Sequence, residues 1–230
     1  MSASPSPSLR ARASGPSDII EAYTKAMAAS RPAPEPYRHW QLKNCLPGDV
    51  LDELLALPFA APDLGGLSGK RELHNETRSY FDVENQKRYP AMAAVAAAFQ
   101  SRTLTKRIEN FFGATLKGSY LRIEYALDAD GFWLAPHSDL GVKLFTMLLY
   151  VSKDRRHRTL GTDIYDAEKN IVGQSDFEPN AAFCFVPSDI TFHGFEKRAI
   201  AGVRKSIIVN YVTDEWRARE QLSFPQAPLE

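Results

Sequence analysis

Residues 132–152, FWLAPHSDLGVKLFTMLLYVS, decide the fold of this chain because they contain two predicted strands joined by a polar turn. The first, at 132–137, is short, and the second, at 143–152, is a nearly continuous apolar run that is typical of a buried strand. Between them, His137 and Asp139 are two positions apart. Residues with this spacing in an extended chain point to the same side, so an imidazole and a carboxylate can reach one ion.

Further runs of β-forming residues follow or precede this stretch. They lie at residues 116–126, 181–187, 190–195 and 203–213. Turns that contain glycine, proline or aspartate separate them at close intervals, which indicates a β-sandwich or barrel. Residues 47–57 and 90–112 predict amphipathic helices, the second of them ended by Gly113. We therefore expect a mainly β domain with helices on its N-terminal side.

A second histidine, His193, completes a candidate metal site with His137 and Asp139. Two imidazoles and one carboxylate hold a ferrous ion by one face and leave the opposite face open for chemistry. These mixed ligands favour iron(II) over calcium, while zinc is a chemical alternative. Taken alone, the His-x-Asp pattern is weak, and His193 has the alternative of an ordinary histidine in a polar loop. The combination of all three with the predicted strands indicates a metal site.

From about residue 116 to residue 213, the sequence resembles the core of the iron(II)- and 2-oxoglutarate-dependent dioxygenases, closest to their prolyl-hydroxylase-like branch. The matching residues are His137, Asp139 and His193 for the metal, and Arg204-Lys205-Ser206 for the family's Arg-x-Ser on the last core strand. The resemblance covers a little under half of the chain. It implies a double-stranded β-helix, which is a jelly-roll or cupin-like fold, with flanking N-terminal α-helices.

The resemblance also implies a site for the cosubstrate. In the family, the arginine pairs with the distal carboxylate of 2-oxoglutarate and the serine adds a hydrogen bond, and these roles fall to Arg204 and Ser206. The two residues share a strand face. A planar guanidinium meets a carboxylate with two parallel hydrogen bonds, which the ammonium of Lys205 cannot do. A solvated strand residue is the alternative interpretation of Arg204.

Three further residues are candidate cosubstrate ligands. Tyr150 resembles a tyrosine that shares this carboxylate in some prolyl-hydroxylase-like members, and Thr146 lies on the same strand face. Tyr125, on the strand before the metal ligands, is a weaker candidate of the same kind. Core packing is the alternative interpretation for Tyr150 and Thr146.

The implied activity is oxidation, most simply hydroxylation, of an unactivated C–H bond with conversion of 2-oxoglutarate and O2 to succinate and CO2. Ascorbate is expected only as a supporting reductant. We prefer a small metabolite, such as an amino acid or a natural-product intermediate, because the compact core contains no recognisable peptide-binding module. A protein side-chain hydroxylase of the prolyl type and a metal-binding β-helix protein without 2-oxoglutarate are the alternatives. Arg204 and Ser206 count against the last, which needs no dicarboxylate anchor.

Composition argues against several other classes of protein. The 230 residues include 28 basic and 28 acidic ones, so the zero formal net charge gives no reason to expect nucleic acid or an anionic membrane as a partner. No apolar run approaches the ~18 residues of a membrane-spanning helix. Two cysteines provide no disulfide framework, which favours a cytoplasmic location. The expected partner is the small-molecule substrate, with a homodimer left open.

We expect one dioxygenase domain at residues 37–230, with its β-helix core at about 116–213. Residues 1–36 are rich in serine, proline, alanine and arginine, and they predict a flexible segment with one short helix inside it. Residues 64–89 are irregular in sequence. They are candidates for a lid over the metal site, with an ordinary surface loop as the alternative.

Overall fold

A computed structural model describes residues 12–61, 63, 69, 78–139 and 141–230 of the chain. Its helices are α1 (Pro16–Ala29), α2 (Gly48–Leu55), α3 (Val83–Arg88), α4 (Pro90–Gln100) and α5 (Arg102–Phe112). Its strands are β1 (Pro32–Ala33), β2 (His39–Leu42), β3 (Ser79–Tyr80), β4 (Tyr120–Ala129), β5 (Leu134–His137), β6 (Lys143–Tyr150), β7 (Asp163–Tyr165), β8 (Ile171–Gln174), β9 (Ala181–Phe185), β10 (His193–Phe195) and β11 (Val203–Val212). The fold is mostly β with N-terminal helices, as the sequence predicts.

The strands form a large and a small antiparallel sheet. The large sheet has the strand order β1-β2-β9-β6-β11-β4-β3, and the small sheet has the order β5-β10-β7-β8. From β4 onward the chain passes repeatedly from one sheet to the other. Every predicted strand is present with its bounds shifted by a few residues. The sequence pattern did not indicate five short strands, which are β1, β2, β3, β7 and β8.

The large sheet has two different faces because side chains alternate along its long strands. On one face, residues of β4 join the larger hydrophobic cluster with side chains of the helices; they are Leu121, Ile123, Tyr125 and Leu127. On the other face, Arg122 and Glu124 of β4 line a cavity. Strand β11 repeats this division, since Ile207 and Val209 join the cluster while Arg204 and Asn210 line the cavity.

The N-terminal helix α1 belongs to the hydrophobic core, although the sequence predicted a flexible segment up to residue 36. Its buried side chains recur with amphipathic spacing; they are Ile19, Tyr23, Ala26 and Met27. At its start, the backbone N–H of Gly15 donates to the Asp18 carboxylate at 2.7 Å. Strand β1 then pairs with β2. The predicted boundary at residue 37 thus falls after elements that are packed into the domain, while residues 1–11 lie outside the described part of the chain.

The other predicted helices are present with small differences from their predicted extents. Residues 90–112 form two helices rather than one, because Ser101 adopts an extended backbone conformation and its Oγ accepts a hydrogen bond from the first turn of α5. Gly113 ends α5 in the left-handed conformation that favours glycine, with φ at +79°. Half of the predicted lid at residues 64–89 lies outside the described residues, and its described end forms β3 and α3. In the described part of the chain, no helix is long and apolar enough to cross a membrane.

Candidate metal centre

The three predicted metal ligands come together where β5 and β10 meet. His137 is the last residue of β5, His193 is the first residue of β10, and the two are directly paired across the small sheet. Asp139 follows two residues after β5. One potential ligand atom from each residue lies within 4.8 Å of the other two. The Nε2 atoms of His137 and His193 are 3.7 and 3.8 Å from the two Asp139 carboxylate oxygens, so one ion can contact all three.

Backbone carbonyls orient both imidazole rings. The Nδ1 of His137 lies 2.9 Å from the carbonyl oxygen of Ala135, and the Nδ1 of His193 lies 3.1 Å from that of Thr191. A hydrogen bond of this kind fixes Nδ1 as the protonated nitrogen and leaves Nε2 as the metal ligand. Burial lowers the pKa of His193 to about 3 despite the nearby Asp139 carboxylate, so its ring is neutral at physiological pH. Neutral imidazole is the form that binds metals.

The Asp139 carboxylate accepts a hydrogen bond on each oxygen. Lys143 Nζ donates to Oδ1 at 2.7 Å, and Thr146 Oγ1 donates to Oδ2 at 2.7 Å. Burial alone would raise the pKa of this carboxyl group, but the Lys143 ammonium and the two histidines hold it well below its usual range. Asp139 is therefore an anion at neutral pH. Thr146, a predicted cosubstrate ligand, contacts the metal-site carboxylate in this structure.

The candidate metal centre opens into a cavity of about 640 Å³, a volume typical of small-molecule sites. Its wall combines the three metal-site residues with polar and charged side chains of the large sheet. These are Arg122, Glu124, Lys143, Thr146, Arg204 and Asn210. Apolar side chains complete the wall; they include Leu134, Leu148, Phe195, Ile208 and Trp216.

Arg204, the predicted carboxylate anchor, is a buried residue of this wall whose guanidinium is partly paired. Its Nη1 donates to Asp128 at 2.6 Å, and its Nε donates to the carbonyl oxygen of Leu160 at 2.7 Å. Within the described residues, Nη2 makes no hydrogen bond. Three ring centroids lie 4.8–5.6 Å from the guanidinium carbon; they belong to Tyr150, Phe177 and Phe195. The site therefore offers one unpaired nitrogen of Arg204 in an aromatic surrounding.

The other predicted cosubstrate ligands lie in three different settings. Ser206 shares the strand face of Arg204, is fully buried, and its Oγ has no hydrogen-bond partner in the described structure. Tyr150 lies opposite Ser206 on β6, and its hydroxyl is hydrogen-bonded to Thr162 and Ser175. Tyr125 lies on the helix-facing side of β4, where its hydroxyl donates to the carbonyl of Leu54 at 2.7 Å. Strand alternation thus turns Tyr125 away from the cavity.

Asp128 and Asn210 lie on the cavity-facing side of the large sheet, and the sequence pattern indicated neither of them as a site residue. Asn210 is six positions after Arg204, so strand alternation alone could have placed it on the same face. Asp128 lies directly opposite Arg204 in the pairing of β4 with β11. No local pattern shows this pairing, because it depends on the register between strands that are distant in sequence.

No family model and no curated protein matches this chain. Solved structures do. A prolyl 4-hydroxylase from Phytophthora capsici matches with a TM-score of 0.59 at 13% identity, covering 91% of this chain and 69% of that one. A Pseudomonas putida prolyl-4-hydroxylase matches with a TM-score of 0.55 at 14% identity, covering 85% and 92%.

A third match is a Trichoplax adhaerens prolyl hydroxylase in complex with a peptide fragment of the hypoxia inducible factor oxygen degradation domain. Its TM-score is 0.57 at 13% identity, and the match covers 88% of this chain and 93% of that one. At such low identity these matches establish the fold, which this chain shares with prolyl hydroxylases.

Proposed function

We propose that this protein is an Fe(II)- and 2-oxoglutarate-dependent dioxygenase built on a double-stranded β-helix. The observation that carries the proposal is that one cavity is lined both by His137, Asp139 and His193 and by Arg204. The repeated passage of the chain between two sheets and the fold shared with prolyl hydroxylases support the β-helix assignment.

The donor set fits iron(II). Two neutral imidazoles and one carboxylate form the ligand set of non-haem iron oxygenases. The protein prepares these ligands itself, because carbonyl groups orient the rings of His137 and His193 while Lys143 and Thr146 hold the Asp139 carboxylate. When bound, iron and 2-oxoglutarate would supply the oxidising power to attack an unactivated C–H bond, with release of succinate and CO2.

Two features on this face of the large sheet fit a cosubstrate carboxylate. The buried Ser206 Oγ lacks a partner in the described structure, and buried polar groups are nearly always hydrogen-bonded. Ser206 shares its strand face with Arg204, whose Nη2 makes no hydrogen bond within the described residues, and an arginine pairs strongly with a carboxylate. We assign the distal carboxylate of 2-oxoglutarate to Arg204 and Ser206. Tyr150 stays a candidate, and we assign no role in binding to Tyr125.

We propose a small metabolite as the substrate, most simply undergoing hydroxylation. A cavity of about 640 Å³ is large enough for such a molecule together with the cosubstrate. Hydroxylation of a protein side chain is the second candidate, favoured by the structural neighbour that is bound to a peptide fragment. Succinate release, measured with ascorbate present, against free amino acids and against proline-containing peptides would separate the two. We also propose a cytoplasmic location, which suits two buried cysteines without a disulfide.

The proposed chemistry is tested by anaerobic titration of the metal-free protein with iron(II) and then 2-oxoglutarate. We expect the weak visible charge-transfer band of a bidentate iron chelate, and its loss in His193→Ala. Arg204→Ala should still bind iron but should need more 2-oxoglutarate to develop the band. Iron binding without any band in the wild-type protein would contradict the dioxygenase assignment and favour a metal site that does not use 2-oxoglutarate.

A further inference from the structure

We infer that Arg122, Asn210 and Thr146 form a directional hydrogen-bond chain that positions the Asp139 carboxylate for metal binding. The inference rests on the proposed function for the identity of the metal centre. It assigns positioning roles to three side chains that do not themselves belong to the ligand set.

The three side chains form one row across the large sheet. Asn210 on β11 lies directly opposite Arg122 on β4 and directly opposite Thr146 on β6. Arg122 Nη1 donates to Asn210 Oδ1 at 3.3 Å, and Asn210 Nδ2 donates to Thr146 Oγ1 at 3.0 Å. Thr146 Oγ1 then donates to Asp139 Oδ2 at 2.7 Å. All four residues are buried.

The arginine fixes the direction of every bond in this row. A guanidinium only donates, so the side of the Asn210 amide that faces Arg122 must be its oxygen. The NH2 group of Asn210 must then face Thr146. Because the Thr146 oxygen accepts this bond, its own proton is left for Asp139. Without such a neighbour, a threonine hydroxyl is free to rotate to another acceptor.

Arg122 is itself held in place by several parts of the chain. Its Nε donates to Gln221 Oε1 at 3.0 Å, and its Nη2 donates to Glu124 Oε2 at 3.0 Å. The rings of Tyr80 and Trp216 lie 4.9 and 4.8 Å from its guanidinium carbon. The orientation of the metal-site carboxylate therefore depends on contacts with the C-terminal segment, far from the metal ligands in sequence.

The alternative is that the row only satisfies buried polar groups and has no influence on the metal. Asn210→Asp separates the two interpretations because it preserves shape and can still accept from Arg122. The new carboxylate cannot donate to Thr146 and competes with Asp139 for the Thr146 proton. It also adds a negative charge to the cavity, which by Coulomb attraction alone would tighten the binding of a cation. Weaker metal binding in N210D would thus have the sign that only the directional chain predicts.

The experiment is calorimetric titration of metal-free, full-length protein with Mn²⁺. We expect a rise in Kd of about tenfold or more for N210D, the size typical when a residue that orients a metal ligand is changed. Thr146→Val should give a similar rise, and Thr146→Ser, which keeps the hydroxyl, should stay near the wild-type value. In the double variant N210D/T146V, the rise should not exceed that of T146V, since both changes remove the same bond to Asp139.

A Kd for N210D that equals or falls below the wild-type value would overturn the inference. Circular dichroism melting of each metal-free variant checks that it is folded, and if N210D does not fold, equal Kd values for T146V and T146S would overturn it instead. Either of these results contradicts only the hydrogen-bond chain, and not the proposed function, if the wild-type protein binds Mn²⁺ and gives the iron and 2-oxoglutarate band. If the wild-type protein binds no divalent metal, the proposed function falls with it.

Discussion

The two faces of the large sheet differ in what they bury. Toward the helices, strand β4 buries apolar side chains such as Ile123, and the tyrosine on that face satisfies its hydroxyl with a helix carbonyl. Toward the small sheet, the same strand buries Arg122, Glu124 and Asp128. Each of these charged groups has an oppositely charged partner, since Glu124 pairs with Arg122 and Asp128 pairs with Arg204.

This difference separates the residues that hold the fold from those that belong to the proposed site. Burial of apolar surface stabilises the helix-facing side at about 25 cal/mol per Å². Buried ion pairs contribute little net stability, because desolvation offsets their attraction. The charged face is therefore explained better by a function than by stability. We expect substitutions on the two faces to affect different measurements.

The largest expected effect is on the cavity side, where Asp139→Ala should abolish metal binding. The substitution removes the only carboxylate among the three potential ligands and leaves the Lys143 ammonium beside the two imidazoles. Mn²⁺ titration should show no binding. A melting temperature of the metal-free variant above the temperature of the titration would show that the variant is folded. Retained binding with wild-type affinity would mean that Asp139 is not a ligand.

The sequence was sufficient for features that depend on neighbouring positions. The strands are visible as apolar runs, and the i, i+2 spacing of His137 and Asp139 indicates a common direction of their side chains. The sequence predicted helix α1 as part of a flexible segment, because the Ser, Pro and Ala residues around it resemble a disordered region. In the structure the helix is packed into the core, where Ile19 and Tyr23 are fully buried. The amphipathic pattern of this helix covers only a few turns, which is too short to indicate burial from the sequence alone.

Features that depend on strand register were not accessible in this way. Asn210 meets Arg122 and Thr146 only because β11 lies between β4 and β6 with one particular alignment. A shift of that alignment by one residue would turn Asn210 to the helices. The same holds for Asp128 opposite Arg204. Cross-strand pairs of this kind need the tertiary structure, since nothing in a single sequence specifies which strands are neighbours.

A matched pair of substitutions on adjacent strands tests the contrast between the faces directly. Ile123→Ala, on the helix-facing side, should lower the free energy of unfolding by about 2–5 kcal/mol, because it leaves a void in a closed core. Ile208→Ala, on the cavity side, should cost less, since the removed atoms border an existing cavity. Urea unfolding of both metal-free variants measures this. Equal losses would show that the cavity face is packed as tightly as the core.

The same two variants should differ in the opposite order in their effect on 2-oxoglutarate binding. Ile208→Ala enlarges the cavity wall and should alter the 2-oxoglutarate dependence of the charge-transfer band, while Ile123→Ala should leave it unchanged at temperatures where the protein is folded. A change in the band with Ile123→Ala alone would contradict the separation of the two faces.

We expect a smaller effect of pH on the stability of the folded protein, and it should arise from His193 on the cavity side. Burial lowers the pKa of His193 from 6.5 to about 3, so below pH 6.5 the unfolded chain takes up a proton that the folded protein does not. Stability due to this group is complete above pH 6.5 and falls as the pH drops toward 3. Between pH 7 and pH 5 the loss is at most about 2 kcal/mol.

Urea unfolding of the metal-free wild type and of His193→Asn at pH 7 and pH 5 would isolate this contribution. Asp139 interferes little, because its lowered pKa in the folded protein and its ordinary value of 3.8 in the unfolded chain both lie below pH 5. The variant should lose less stability than the wild type between the two pH values. Identical losses would mean that His193 exchanges its proton equally well in the folded protein, contrary to its buried position.

The smallest expected effect concerns Asp128, whose carboxylate already occupies Nη1 of Arg204. A cosubstrate carboxylate at Arg204 would bring a second anion to a guanidinium that is largely neutralised. Asp128→Asn removes the competing charge but keeps an oxygen that accepts from Nη1, so the fold should be retained. We expect the Kd for 2-oxoglutarate, measured from the band at saturating iron, to fall about tenfold, or about 1.4 kcal/mol. An unchanged or raised Kd would instead mean that Asp128 holds Arg204 in the orientation that binds the cosubstrate. The charged pair would then be part of the binding site. The buried Asp128 would orient Arg204 toward the cosubstrate rather than compete with the cosubstrate for it.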